Sequence, residues 1–179
     1  MNNQKIDLKE LIKDYQDFPK KGVVFRDINP LFRNENAILQ ISKEFIQQDQ
    51  LNEIDLIAGI ESRGFTVASL LAANFKKGLI LIRKAGKLPG KTVQTDYDIE
   101  YGSATIELQT DAIKRGQRVL IADDLIATGG TAIASAKLIE KLGGIVFGFA
   151  FIIELEYLQG VKKLKDLGYN VKSLVKYNE

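Results

Sequence analysis

Apolar residues recur at two different spacings along this chain, and the spacing predicts which parts are helices. Residues 35–50 place Ile41 and Phe45 four positions apart, which is the spacing of one helix face. The same pattern predicts helices over residues 63–75 and 131–142. Four apolar residues near the start also fall on one helical face, at Leu8, Leu11, Ile12 and Tyr15.

Short runs that are apolar throughout alternate with these helices. They cover residues 54–60, 78–82, 118–122 and 145–153. Runs of this kind are typical of strands in a parallel sheet that is covered on both faces. Residues 98–109 alternate instead and predict a hairpin around Gly102, while residues 170–177 predict a last strand after a last helix. We therefore predict an α/β fold with a mainly parallel sheet flanked by helices.

Composition narrows the chemistry that this fold can carry. The chain has 179 residues, a length that favours one domain over residues 1–179. It contains no cysteine and no histidine, which excludes thiolate nucleophiles, Ser-His-Asp chemistry and most zinc sites. The net charge of +2 gives no ground for a nucleic-acid partner, and no apolar run is long enough to span a membrane. We expect a cytoplasmic protein.

Unusual loops follow three of the apolar runs, after residues 60, 82 and 122. In open parallel sheets, ligands bind outside the carboxyl ends of the strands, so these loops are where a site is expected. The third loop lies in "VLIADDLIATGGTA", residues 119–132, where two acids and a glycine pair precede a predicted helix.

The stretch 119–132 has the chemistry of a sugar-phosphate site. Glycines beside a helix N-terminus offer free N–H groups to a phosphate. The acids Asp123 and Asp124 would repel phosphate, so we expect them to face vicinal hydroxyls such as those of ribose, or a metal ion. The alternative interpretation of this sequence is a strand that ends in two solvated acids before an ordinary capped helix. The spacing fits neither a Walker loop nor a dinucleotide fingerprint.

The stretch 119–132 also resembles the phosphoribosyl pyrophosphate signature of the type I phosphoribosyltransferases. Four further stretches match, in order, the branch of that family that acts on adenine: "DFPKKGVVFRDINPLF", "IAGIESRGF", "LIRKAGKLPG" and "IEYGSATIELQTDAI". The resemblance implies the family's fold, with a small N-terminal hood at about residues 1–33 and a mobile lid loop at about residues 83–97. It also implies a homodimer, with the lid or the arginine loop near the partner subunit.

The reaction that the resemblance implies joins adenine to phosphoribosyl pyrophosphate and gives AMP and pyrophosphate, with Mg²⁺ as cofactor. Negative charge grows on the leaving pyrophosphate, so cations should be in place there. The family pattern assigns Ser62 and Arg63 to the pyrophosphate, with a cis peptide at Glu61–Ser62. A surface salt bridge is the alternative for Arg63.

The stretch "RKAGKLPGK" carries four cations and no acid within nine residues. A lid that closes over pyrophosphate would exclude water from the reacting centre. The family position assigns Lys87 to the pyrophosphate, while a merely solvated basic loop is the alternative.

The base is assigned to two other stretches by the same resemblance. Glu100 would share or donate a proton at the adenine imidazole, and Tyr101 would lie near the reaction centre. Phe25 would stack on the base, with backbone contacts from Val24 and Arg26. From the sequence alone, the alternatives are an exposed strand residue for Glu100 and an ordinary core aromatic for Phe25.

The remaining assignments concern the ribose phosphate and the metal. Asp123 and Asp124 would hold the ribose hydroxyls, and Mg²⁺ would be bound mainly through the pyrophosphate and ribose oxygens, near these acids. Leu125 and Ile126 would wall the second side of the base. The phosphate would be held by the residues that follow: Ala127, Thr128, Gly129, Gly130 and Thr131.

Two rival functions stay open at this point. A related transferase could use hypoxanthine, guanine, xanthine or orotate, although the hood and hairpin stretches favour adenine. A nonenzymatic sensor of phosphoribosyl pyrophosphate that binds DNA would need an added domain, and the chain has no room for one before residue 17.

Overall fold

Seven strands form the central sheet of the computed structural model, which describes residues 5–45, 50–99 and 102–179. Their order across the sheet is β5-β6-β4-β3-β7-β8-β9. The strands are β3 Leu56–Ile60, β4 Gly78–Lys84, β5 Thr92–Ile99, β6 Gly102–Gln109, β7 Arg118–Ile126, β8 Ile145–Leu155 and β9 Val171–Tyr177. Strands β4, β3, β7, β8 and β9 run parallel, whereas the β5–β6 hairpin joins β4 antiparallel. This confirms the predicted mainly parallel sheet.

Strand β7 is longer than the sequence predicted. Its apolar run ends at Ala122, and we expected the strand to end there too. The pairing with β8 instead continues to Ile126, opposite Glu154. Asp123 and Asp124 therefore lie near the carboxyl end of a paired strand, and the pairing fixes their backbone more firmly than a loop would.

Helices cover both faces of the sheet. They are α1 Asn29–Phe32, α2 Glu35–Phe45, α3 Gly64–Phe75, α4 Gly130–Lys141 and α5 Gly160–Asp166. Helices α2 and α3 pack on one face in a core that includes Leu120 and Ala122. Helices α4 and α5 pack on the other face with Val119 and Ile121. Successive residues of β7 therefore enter two separate cores, as the pleat of a strand requires.

The predicted first helix is wrong. Leu8–Leu11 form a single 3-10 turn, and the chain then becomes strand β1, Lys13–Gln16. Strand β1 pairs antiparallel with β2, Val24–Asp27, in a separate two-stranded sheet. The helical spacing misled because Leu8 and Ile12 are buried by the turn, whereas Tyr15 is a half-exposed strand residue.

The predicted loop over residues 83–97 is a loop only between residues 85 and 91. Residues 92–99 already belong to β5, which pairs with β6 from Thr92 opposite Gln109 to Ile99 opposite Gly102. The hairpin around Gly102 is confirmed, and it begins earlier than the alternation suggested. We call residues 85–91 the basic loop.

No helix within the described ranges is both long and apolar enough to cross a membrane.

Candidate active site

The loop between β3 and α3, residues 61–63, places Arg63 at the carboxyl edge of the sheet. We call it the Arg loop. Its Glu61–Ser62 peptide is cis, as the resemblance implied. Gly64 then begins α3 against β7, where a Cβ would lie 2.6 Å from Asp123 Oδ1 and 2.9 Å from the carbonyl oxygen of Ala122. The absence of a side chain at Gly64 therefore lets the Arg loop lie directly on the acidic end of β7.

Arg63 contacts two of the other predicted site residues. Its Nε lies 3.0 Å from Asp124 Oδ2, and its guanidinium carbon lies 4.8 Å from the centre of the Phe25 ring. The first contact is an ion pair by distance but lacks hydrogen-bond geometry, so the buried Oδ2 has no hydrogen-bond partner among the described residues. The Arg63 side chain is thus partly exposed and can still donate hydrogen bonds. Asp124 presents a buried oxygen that can still accept one.

The two acids differ in their surroundings. Asp124 is 5% exposed, whereas Asp123 is half-buried and its Oδ1 accepts the backbone N–H of Asp124 at 2.8 Å. Burial raises the pKa of Asp124, against the opposing charge of Arg63. Burial, followed by the neighbouring Asp124 carboxylate, raises the pKa of Asp123 well above its usual range. Groups that donate hydrogen bonds to this pair would relieve both costs.

The loop between β7 and α4, residues 127–129, presents backbone rather than side chains. We call it the Gly loop. Gly129 has a φ of 85°, in the left-handed region that favours glycine, and directly precedes α4. In the described chain, the amides of Thr128 and Gly129 donate no hydrogen bond to another backbone group. A pocket of about 120 Å³ lies here, lined by residues 125–132 with Asp123 and Phe151.

The Gly loop and the first turn of α4 therefore present several free N–H groups and the positive end of a helix. This arrangement is a ready-made anion site. It brings together the five residues that the sequence assigned to the phosphate: Ala127, Thr128, Gly129, Gly130 and Thr131.

The hood contributes Phe25 from β2. The ring is half-buried and meets Phe18 edge to face at 5.1 Å. Val24, opposite Gln16 in the hairpin, is 39% exposed. An exposed hairpin edge next to an aromatic ring leaves backbone N–H and C=O groups available to a flat polar ligand.

The side chain of Arg26 is engaged by residues other than Arg63 and the acids of β7. Its guanidinium donates to Asp14 at 2.6 Å and to the backbone oxygen of Glu179 at 3.0 Å, and lies 3.5 Å over the Tyr177 ring. Its side chain therefore holds β2 against β1 and against residues 177–179. Only its backbone is available for the contact that the resemblance assigned to it.

Glu107 is a residue that the sequence did not indicate. It is 2% exposed on β6, beneath the basic loop. Its Oε1 accepts the backbone N–H groups of Lys87 and Leu88, each at 2.8 Å, and its Oε2 accepts Thr92 and Gln94 side chains, each at 3.2 Å. Burial opposes ionisation, but the backbone N–H groups outweigh it and lower the pKa of Glu107 to about 2. The Glu107 carboxylate is therefore ionised at neutral pH and binds the middle of the basic loop.

Arg83 ties the basic loop to the Arg loop. Its Nε lies 3.3 Å from Glu61 Oε2, and its Nη1 donates to the carbonyl oxygen of Lys87 at 2.9 Å. Glu61 Oε2 also accepts the N–H of Lys84 at 2.9 Å. Lys87 itself is exposed. Of the four predicted cations, Arg83 is therefore engaged within the protein.

Four further predicted residues have different outcomes. Ile126 is 2% exposed within the core beside α4 and α5, and Leu125 is half-buried; both line the pocket at the Gly loop. Glu100 and Tyr101 lie outside the described residues.

Comparison with known proteins agrees with this geometry. A family model for the phosphoribosyl transferase domain matches residues 30–178. The adenine phosphoribosyltransferase of Nitrosopumilus maritimus is 55% identical over 172 residues, which are 96% of this chain and 100% of that protein.

Solved structures give the same result. An adenine phosphoribosyltransferase from Thermoanaerobacter pseudethanolicus is 44% identical with a TM-score of 0.88, over 96% of this chain and 98% of that one. The enzyme of Saccharomyces cerevisiae, solved with an imino-altritol bisphosphate and adenine, is 38% identical with a TM-score of 0.85, over 94% of this chain and 96% of that one.

Proposed function

We propose that this chain, which belongs to the phosphoribosyltransferase family, transfers the 5-phosphoribosyl group of phosphoribosyl pyrophosphate to adenine. The products are AMP and pyrophosphate, as in purine salvage. The observation that carries the proposal is the position of Arg63, which lies 3.0 Å from Asp124 and 4.8 Å from the Phe25 ring centre. Through this one side chain, the proposed ribose, pyrophosphate and base positions adjoin one another.

Each part of the substrate has a chemical counterpart. The 5-phosphate lies in the Gly loop, where free N–H groups and the N-terminus of α4 accept negative charge. The ribose hydroxyls donate to the acids of β7, where the buried Oδ2 of Asp124 lacks a hydrogen-bond partner among the described residues. Adenine stacks on Phe25, and backbone groups of Val24 and Arg26 read its edge.

The reaction breaks the bond between the anomeric carbon and a pyrophosphate oxygen. A bond from an adenine imidazole nitrogen to the same carbon replaces it, and one proton leaves the base. Charge develops on the departing pyrophosphate, where Arg63, Ser62 and Lys87 are proposed to bind it. Glu100 is the proposed partner for the proton at the opposite imidazole nitrogen, and we propose that Tyr101 lies near the same centre.

Magnesium would be held mostly by the substrate. The described residues contain no cluster of three or more His, Cys, Asp or Glu side chains, so Asp123 and Asp124 offer at most a pair of carboxylates. Mg²⁺ commonly uses one or two carboxylates and completes its shell with phosphate oxygens and water. When bound, it would neutralise charge on the pyrophosphate. The acids fit that role through the unpartnered Oδ2 of Asp124.

A base-selection assay tests the proposal. Purified protein with magnesium and phosphoribosyl pyrophosphate is offered adenine, hypoxanthine, guanine, xanthine or orotate in separate reactions, and nucleotides are separated by chromatography. We expect AMP from adenine alone. Another nucleotide would contradict the base site around Phe25, and no product despite binding of phosphoribosyl pyrophosphate would favour a sensor. Cytoplasmic location and homodimer formation are further proposals, the second checked by sedimentation.

A further inference from the structure

Helix α5 lies outside every stretch that carries the resemblance, yet it packs on the back of the Gly loop. Its first residue, Gly160, donates its N–H to the carbonyl oxygen of Ala127 at 3.1 Å. Three residues further on, the Lys163 ammonium donates to the carbonyl oxygen of Thr128 at 3.1 Å. Two successive carbonyl groups of the Gly loop are therefore tied to the same helix.

The direction of these carbonyl groups determines where the amides point. In a planar trans peptide, the C=O and the N–H of one unit point in opposite directions. Fixing the Ala127 carbonyl toward α5 turns the Thr128 N–H away from α5. Fixing the Thr128 carbonyl in the same way turns the Gly129 N–H away from it too. Neither amide donates to another backbone group in the described chain, so both are free for a ligand.

The backbone of α5 lies so close to the Gly loop at Gly160 that a side chain would not fit there. A Cβ on Gly160 would overlap the carbonyl oxygen of Ala127 and approach the Gly129 nitrogen to 2.9 Å. A Cβ on Gly129 would in turn lie 3.2 Å from Gly160. The backbones are in direct contact, and Lys163 is the one polar side chain of α5 that adds a bond to the Gly loop in the structure as described.

We propose that Lys163 is a positioning residue for the 5-phosphate site. It holds the Thr128–Gly129 peptide with its N–H toward the phosphate and places a positive charge behind the Gly loop. The inference rests on the proposed function, because it takes the Gly loop as the site of a sugar phosphate. It adds a residue that lies 32 positions beyond Thr131 and touches no substrate.

Lys162 provides a matched control on the same helix. Both lysines are exposed, but Lys162 pairs with Asp166 at 2.6 Å, away from the Gly loop. Changing either lysine to methionine removes one positive charge and keeps most of the side-chain volume. A difference between the two variants therefore reports the bond to Thr128 and not the loss of net charge.

The test compares Lys163→Met with Lys162→Met and with Lys163→Arg. We expect Lys163→Met to raise the KM for phosphoribosyl pyrophosphate about threefold to tenfold, the range of a single intramolecular hydrogen bond. The KM for adenine and kcat should change little. Calorimetry with ribose 5-phosphate should show the same loss of affinity, while affinity for inorganic pyrophosphate stays unchanged. Lys163→Arg should restore binding, because a guanidinium can donate to the same carbonyl.

Three results would overturn the inference. Unchanged binding of ribose 5-phosphate by Lys163→Met would show that the contact does not position the Gly loop. An equal loss of pyrophosphate affinity, or an equal effect of Lys162→Met, would show a general charge effect. Failure of the unaltered protein to bind ribose 5-phosphate would overturn the proposed function as well, which separates the two cases.

Discussion

The Arg loop and the Gly loop leave neighbouring strands of one sheet and both lead into a helix, but they offer a ligand different parts of the chain. The Arg loop presents a side chain, Arg63, already paired with Asp124 and stacked on Phe25. The Gly loop presents backbone amides whose direction is set by Gly129 and by α5. The first depends on charge and the second on backbone shape, so they should fail in different ways.

Removing the charge of the Arg loop should have the largest effect. Arg63→Ala deletes the proposed donor to the leaving pyrophosphate, and loss of one such group typically lowers kcat about 10²–10³-fold. Steady-state kinetics with phosphoribosyl pyrophosphate measures it. Arg118→Ala is the control, because Arg118 pairs with Glu53 at 2.8 Å at the start of β7. Equal losses in both variants would contradict a specific role for Arg63.

Changing the shape of the Gly loop should have an intermediate effect. Gly129→Ala places a Cβ at a φ of 85°, which costs roughly 1–2 kcal/mol, and 3.2 Å from Gly160. We expect the loop to shift and the KM for phosphoribosyl pyrophosphate to rise about tenfold or more. Gly168→Ala is the matched control, because Gly168 has a φ of 88° with nothing within 4 Å. Stability should fall in both variants, and ligand affinity only in Gly129→Ala.

Substitution of Asp124, which contacts the Arg loop, should give the smallest effect. It should raise the stability of the fold, whereas Gly129→Ala should lower it. Burial raises the pKa of Asp124 and Asp123, so these acids keep their protons in the folded state after the unfolded chain has lost them. The free energy of unfolding should therefore fall as pH rises from about 3.8 through the raised pKa values. Asp124→Asn should reduce that slope and raise the melting temperature by roughly 2–4 °C at neutral pH, the effect of about 1 kcal/mol.

Urea unfolding between pH 5 and pH 8 measures this slope. Glu107 does not interfere there, because its pKa is lowered to about 2 and its contribution is lost only below about pH 4.5. Asp166→Asn, which removes an exposed carboxylate paired with Lys162, is the control and should change stability little. A lower melting temperature for Asp124→Asn would show that its pairing with Arg63 outweighs the cost of burial.

Sequence patterns predicted most of the sheet and the two loops, because those depend on local periodicity and on short motifs. They did not predict residues whose role depends on packing between distant elements. Glu107 sits between Ile106 and Leu108, and all three are buried because the basic loop covers the face that alternation would leave to solvent. Lys163 is one of several lysines in α5, and only the docking of that helix separates it from Lys162.

The helix predicted over Leu8–Tyr15 failed for a related reason. A spacing of three and four residues suits a helix, but here a 3-10 turn buries Leu8, and Tyr15 then pairs with Phe25 across the hood hairpin. The partner strand lies ten residues further on, where the sequence offers no regular alternation. Short segments that pair with irregular neighbours are therefore the part of this fold least accessible to periodicity.

The contacts of Arg26 join β2 to residues 177–179, which are translated long after it. They therefore affect the order in which parts of the protein can fold. Asp14 is made before Arg26, but the backbone oxygen of Glu179 is synthesised 153 residues after Arg26, and the Tyr177 ring only shortly before it. The hairpin that carries Phe25 is therefore held by this second set of contacts only after residues 177–179 have been translated. The Arg loop and the Gly loop can thus form before the hairpin that carries the Phe25 ring is fixed in place.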